Sequence, residues 1–155
     1  STISCYASWW KVQSARICIA AGNVSVSSSK FPLNQWTHIA LVVNSGTLAV
    51  YINGVSQTLS GTTTGFNNTS TNSRFIAGIP GYVNYTWNGY ISNLRLVKGT
   101  AVYTSNFTPS TSPLTAISGT SLLTCQSNRF IDNSSNTYSF GNNIPLSTSP
   151  NKNSY

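Results

Sequence analysis

Eight consecutive residues, Gly81-Tyr82-Val83-Asn84-Tyr85-Thr86-Trp87-Asn88, hold three aromatic rings and two amides. Flat apolar ring faces beside amide donors and acceptors suit a neutral sugar. The rings take the apolar side of the pyranose, and the amides take its hydroxyls. Tyr82, Tyr85 and Trp87 are therefore the candidate stacking residues, with Asn84 and Asn88 as hydrogen-bonding partners. Loop position argues that Tyr82 and Tyr85 are exposed. Trp87 fits packing under the next strand as well as exposure. Trp9-Trp10 offers a second aromatic pair, whereas Trp36 and Tyr51 belong to apolar strands and are expected to pack in the core.

Acid–base chemistry is far less well provided for. Glycoside hydrolysis generally needs two carboxylates, and the sequence has no Glu and one Asp, Asp132. A nucleophilic triad would need His38 beside Asp132 and a serine. His38 sits mid-strand and reads as a packed or partly exposed strand residue, and Asp132 reads as a turn-capping carboxylate. No catalytic residue is assigned. Calcium wants six to eight oxygens, several of them charged; Asp132 with Asn side chains and carbonyls would make a weak site at best, and nothing else supports it. No phosphate loop or cofactor motif is present, so no cofactor and no metal are expected. Cys5, Cys18 and Cys125 match no zinc spacing. Cys125 reads as a thiol packed like a small hydrophobe. Cys5 and Cys18 fit either free thiols or a cross-strand disulfide.

Only 6% of the 155 residues are charged, against roughly 25% in an average soluble chain. Ser, Thr, Asn and Gly take their place, and 12% aromatic residues argue for a folded core. The net charge of +7 comes from four Lys and four Arg scattered along the sequence. Attraction to an acidic polysaccharide or a nucleic acid is one reading of it, and a plain shortage of acids is the other. The absence of any Lys/Arg cluster favours the second and counts against nucleic-acid binding. No run of about 18 apolar residues suggests membrane insertion. The first residues show no signal peptide. Sequons such as Asn84-Tyr-Thr and Asn106-Phe-Thr arise by chance in a chain this rich in Asn, Ser and Thr.

The elements that must position these residues are strands. Trp36–Val43 and Thr47–Asn53 alternate with period two around Asn44-Ser45-Gly46, which tolerates the positive φ of a hairpin. Asn53-Gly54 marks a second reversal into Val55–Leu59. Further strands are expected at Ser4–Trp10, Arg16–Ala20, Asn23–Ser27, Arg74–Ile79, Gly89–Lys98, Ser121–Gln126, Arg129–Ile131 and Thr137–Phe140. Ile91, Leu94 and Leu96 all look core-facing at unequal spacing, which calls for a β-bulge near Ser92-Asn93. Leu59–Ser73 is expected to be an exposed loop, and Gly99–Gly119, with Pro109 and Pro113, to cross the sandwich surface. Many short strands separated by Gly/Asn/Ser turns predict an all-β antiparallel sandwich. Residues 1–141 form one domain and 142–155 a polar tail or linker.

Trp36-Thr-His-Ile-Ala-Leu-Val with Val50-Tyr-Ile-Asn-Gly resembles the heart of a laminin G-like, concanavalin A-like lectin/glucanase domain. Trp87-Asn-Gly-Tyr-Ile-Ser-Asn-Leu-Arg-Leu-Val-Lys-Gly-Thr-Ala-Val-Tyr, Asn106-Phe-Thr-Pro and Ser121-Leu-Leu-Thr-Cys-Gln-Ser-Asn-Arg-Phe-Ile-Asp-Asn-Ser narrow the likeness. They resemble the version found in bacteriophage tail-fibre and virion structural proteins. The likeness runs roughly from Lys30 to Gly141. It implies a jelly-roll sandwich of two antiparallel sheets on a virion surface or otherwise outside a cell. The implied work is non-enzymatic adhesion to a host-surface polysaccharide, with other virion proteins or further copies of the chain as partners. Two alternatives stand beside it: a purely structural capsid or tail module that binds no glycan, and a secreted cellular lectin or adhesin. Such domains usually open with an apolar strand that is hard to find here, so the N-terminal strand is expected to be missing or donated by a neighbour.

Overall fold

The computed structural model describes residues 4–12, 18–19, 24–25, 34–61, 63–64, 89–127 and 129–140. The described residues form eight strands: β1 Ser4–Val12, β2 Cys18–Ile19, β3 Val24–Ser25, β4 Trp36–Asn44, β5 Thr47–Ile52, β6 Val55–Ser56, β7 Gly89–Lys98 and β8 Thr120–Thr124. Six of them form one antiparallel sheet in the order β6-β5-β4-β1-β7-β8, and β2 pairs with β3 separately. The described residues contain no helix. The expected strand at Arg74–Ile79 and the tail at 142–155 lie outside them.

The central hairpin forms where alternation predicts it. Ser45 (φ 49°) and Gly46 (φ 77°) make a two-residue left-handed turn, the geometry whose twist matches the flanking strands. The Asn44↔Thr47, Val43↔Leu48 and Leu41↔Val50 pairs follow. Asn53 (φ 49°) and Gly54 (φ 79°) repeat the device before β6, which is only two residues long rather than the expected five. Strand β1 fills the middle of the sheet, paired to β4 from Ser4↔Val43 to Lys11↔Trp36 and to β7 on its other side.

The bulge expected near Ser92-Asn93 is present. Ala7 faces Arg95 but Trp9 faces Ser92, so two β7 residues stand against one of β1. Asn93 takes the left-handed conformation (φ 55°), which Asn tolerates better than most residues. The extra residue turns the Asn93 side chain inward, where its Oδ1 accepts from the Leu114 amide at 3.1 Å.

Strands β4, β5 and β7 carry buried residues on both faces of this sheet. Ile39, Leu48, Val50, Ile52 and Leu94 are buried on one face, and Ala40, Val42, Tyr51 and Val97 on the other. The mixed pattern of β4 predicts a half-buried strand, so this is a correction. Its cause is the segment after β7, which lays Ala101, Val102, Tyr103 and Phe107 over Ala40, Val42, Tyr51 and Val97. Leu114 packs further along against Leu123.

Candidate functional site

Tyr82, Asn84, Tyr85, Trp87 and Asn88 lie outside the described residues. What is described is where their loop joins the sheet. Gly89 and Tyr90 open β7 and are exposed, opposite Val12 and Lys11 of β1. Lys11 also faces Trp36, the first residue of β4. The Asn53-Gly54 turn is at the same end, because the Asn53 amide donates to the His38 carbonyl at 2.8 Å.

Beneath that end lies a buried aromatic cluster. Tyr103 and Phe107 stack at 3.7 Å and 9°, and the His38 ring meets both edge-on, at 6.2 and 5.5 Å. Tyr51 lies 5.6 Å from Phe107. The motif Asn106-Phe107-Thr108-Pro109 is thereby explained as a clamp: Phe107 enters the cluster, its amide donates to the Gly54 carbonyl (2.9 Å), and the Asn106 Oδ1 accepts from the Ser56 amide (2.8 Å). His38 is a core residue. It stands on β4, whereas Asp132 lies beyond β8, which is itself three strand spacings or about 14 Å from β4. No triad joins them.

Asp132 organises the other polar centre. It is 5% exposed and accepts four hydrogen bonds, from the amides of Leu123, Ser134 and Tyr138 at 2.9–3.0 Å and from the Ser134 hydroxyl at 2.9 Å. Burial pushes its carboxyl up, but donation from Tyr138, Ser134 and Leu123 outweighs this and holds it below its ordinary value of 3.8. The Asn133 amide donates to the Leu123 carbonyl, and the Ser121 carbonyl accepts from the Ser134 hydroxyl and the Asn136 Nδ2. The outer edge of β8 is thus capped largely by side chains. Arg129–Ile131 and Thr137–Phe140, expected as strands, are irregular here, because the Asp132 carboxylate takes the place of strand pairing.

That arrangement turns apolar residues outward, a surface the sequence reading missed. Phe130, Ile131 and Tyr138 are 41%, 46% and 58% exposed, and the Phe130 and Phe140 rings approach to 6.1 Å. Their readable signal was four large apolar side chains bracketing Asp-Asn-Ser-Ser-Asn.

Two other reactive groups have structural roles. Cys125, left-handed at φ 58°, is a half-buried free thiol. Burial raises its pKa against a smaller lowering by the Thr124 hydroxyl, which makes it a poor nucleophile. Whether Cys5 and Cys18 pair falls outside the described side chains. Arg95 is 7% exposed and donates through Nη1 to the Thr115 carbonyl at 3.0 Å, while its Nε has no partner. Among the described residues no three His, Cys, Asp or Glu side chains gather where a metal would sit.

A crystal structure from Bacteroides ovatus ATCC 8483, described as that of a "putative carbohydrate binding protein", superposes with a TM-score of 0.51 at 16% identity. It covers 78% of this chain, and this chain spans 44% of that one. Comparison with curated proteins gives no match. The family model of the concanavalin A-like lectin/glucanases superfamily matches residues 5–106. That stretch holds β1 to β7, the whole central hairpin and the start of the clamp, so the chain belongs to the concanavalin A-like lectin/glucanase superfamily and its sheets are those of that jelly-roll sandwich.

Proposed function

We propose that this chain is a non-enzymatic glycan-binding module that works by adhesion to a host-surface polysaccharide. The observation that carries the reading is the state of its one acidic side chain. Hydrolysis of a glycosidic bond asks for one carboxyl as acid and a second as base or nucleophile. Asp132 is alone in the sequence, buried, and engaged in four hydrogen bonds. Within these residues the lectin side of the superfamily is the chemistry available. Tyr82, Tyr85 and Trp87 are the proposed stacking residues, with Asn84 and Asn88 hydrogen-bonding the ring hydroxyls. The module needs no cofactor or metal. Its proposed setting is a virion surface or fibre, beside other virion proteins or copies of itself; the phage-like blocks in residues 87–134 support this part. A structural decoration domain is the second reading, favoured by the exposed Phe130, Ile131 and Tyr138, which a neighbouring subunit would cover.

The test is binding of the protein to a panel of bacterial surface polysaccharides at low and high salt, beside a folded Tyr82→Ala/Tyr85→Ala/Trp87→Ala variant. Saturable, salt-tolerant binding that the variant loses is the expected result. No binding to any member of the panel would move the structural reading to first place.

A further inference from the structure

We propose that the Asp132 loop is a second sugar-binding surface, on which Phe130 and Tyr138 present ring faces to a neutral glycan chain. The inference rests on the adhesion reading above but uses other residues, which lie outside the region matching the superfamily model.

Three observations point to this occupant. The platform is tied together by its own hydrogen bonds. The Tyr138 amide donates to the Asp132 Oδ2 at 3.0 Å, so the two arms of the loop run side by side and Phe130 reaches Phe140 at 6.1 Å. The backbone that carries Tyr138 is thereby fixed, and the Phe130 ring has Phe140 as a neighbour, which lowers the entropy lost on binding. The surface is also sparsely charged, with the exposed Arg129 at its margin beside Phe130. Between Phe130 and Phe140 the only ionisable charge is the buried Asp132, while Asn133, Ser135, Asn136, Thr137 and Ser139 are exposed and offer amides and hydroxyls around the rings. Lastly, a partner strand has no open ladder to join here. The Leu123 amide and carbonyl and the Ser121 carbonyl are already bonded within the loop. Exposed rings rimmed by amides and hydroxyls, with one flanking arginine and a strand edge already partly occupied, suit a neutral sugar.

The experiment measures binding of dextran, a soluble β-1,3-glucan and a mannan at low and high salt. It compares the wild-type protein, Phe130→Ala/Tyr138→Ala, Tyr138→Leu and the Tyr82/Tyr85/Trp87 triple variant. The expected result is salt-tolerant binding of at least one polymer, weakened about tenfold in the double variant, since each lost ring contact contributes modestly. Tyr138→Leu keeps apolar area without a ring face and is expected to weaken binding as well. Both positions are largely exposed, so the folded state should persist, and the melting temperature checks it. If the double variant binds as the wild type while the triple variant loses binding, this inference is overturned and the adhesion reading stands. Full binding by Tyr138→Leu overturns stacking at this residue. Binding of none of the three polymers, or binding abolished by salt, overturns this surface as a neutral-glycan site; the bacterial panel then decides the adhesion reading separately.

Discussion

Gly54 shows how much of this fold rests on single backbone positions. A Cβ there would stand 1.8 Å from the Phe107 carbonyl oxygen and 3.1 Å from Pro109, at φ +79°. The carbonyl is backbone and cannot swing aside as a side chain would. Gly54→Ala must therefore either distort the left-handed turn or lift the Asn106-Phe107 clamp off β6. The turn strain costs about 1 kcal/mol, and undocking the half-buried Phe107 ring together with its amide bond to the Gly54 carbonyl costs about 2 more. The variant is expected to lose about 3 kcal/mol by denaturant unfolding. Gly99 is the control: it has a similar φ of +87° but nothing within 4 Å of its would-be Cβ, so Gly99→Ala should cost only the backbone strain. Equal losses in the two variants would show that the clamp contributes nothing. Arg95 teaches a different lesson at the same scale. A buried guanidinium with an unpartnered Nε is a burden in a chain whose one acidic side chain is occupied elsewhere, so its retention is not an argument for stability.

At the scale of elements, the two outer strands are capped by short side chains of the same shape, one a neutral amide and the other a carboxylate. The Asn106 Oδ1 takes the β6 amide of Ser56, and the Asp132 Oδ1 takes the β8 amide of Leu123. Each cap closes a row of groups that would otherwise invite a foreign strand. The Asp132 cap is sensitive to acid. Its folded-state pKa lies below the ordinary 3.8, so it adds stability fully above that value and loses it as pH falls through the folded pKa. Unfolding free energy should therefore drop below about pH 4, and Asp132→Asn should remove that part of the pH dependence while costing roughly 2 kcal/mol at pH 7 through lost charge-assisted bonds. Parallel pH profiles for wild type and variant would show that the carboxylate is not the titrating cap. This element also marks the limit of what the sequence conveys. Period-two alternation located β4, β5 and the full span of β7, and the uneven spacing of Ile91, Leu94 and Leu96 located the bulge. The Asp132 loop was misread as strands because one carboxylate replaces a ladder without leaving a period. The mixed face of β4 looked half-exposed because its cover, residues 99–118, has no period either. For the candidate site, residues 82–88 lie outside the described residues, and the legible part was one isolated acid, whose turn-capping role Asp132 fulfils.

For the whole molecule, the question is whether a charge of +7 makes the protein a polyanion binder. Distribution decides it more than the sum does. Arg95 is buried and presents no surface charge. Lys98 and Arg129 are exposed but belong to opposite ends of the sheet, since Lys98 ends β7 near Gly119, whereas Arg129 follows the end of β8 near Asn93. The five residue steps of β7 from Asn93 to Lys98 separate these ends by about 16 Å. That exceeds the Debye length of about 8 Å at physiological salt, so the two charges act on a polyanion as separate weak sites rather than one strong one. Retention on heparin is accordingly expected in dilute buffer and should be lost by about 0.2 M NaCl, with the same profile for the wild type, the Phe130/Tyr138 variant and the Tyr82/Tyr85/Trp87 variant. Neutral-glycan binding should move the opposite way, persisting in salt and responding to the aromatic substitutions. Heparin retention that survives 0.5 M NaCl would reveal a joined cationic surface and place acidic polysaccharides ahead of neutral ones.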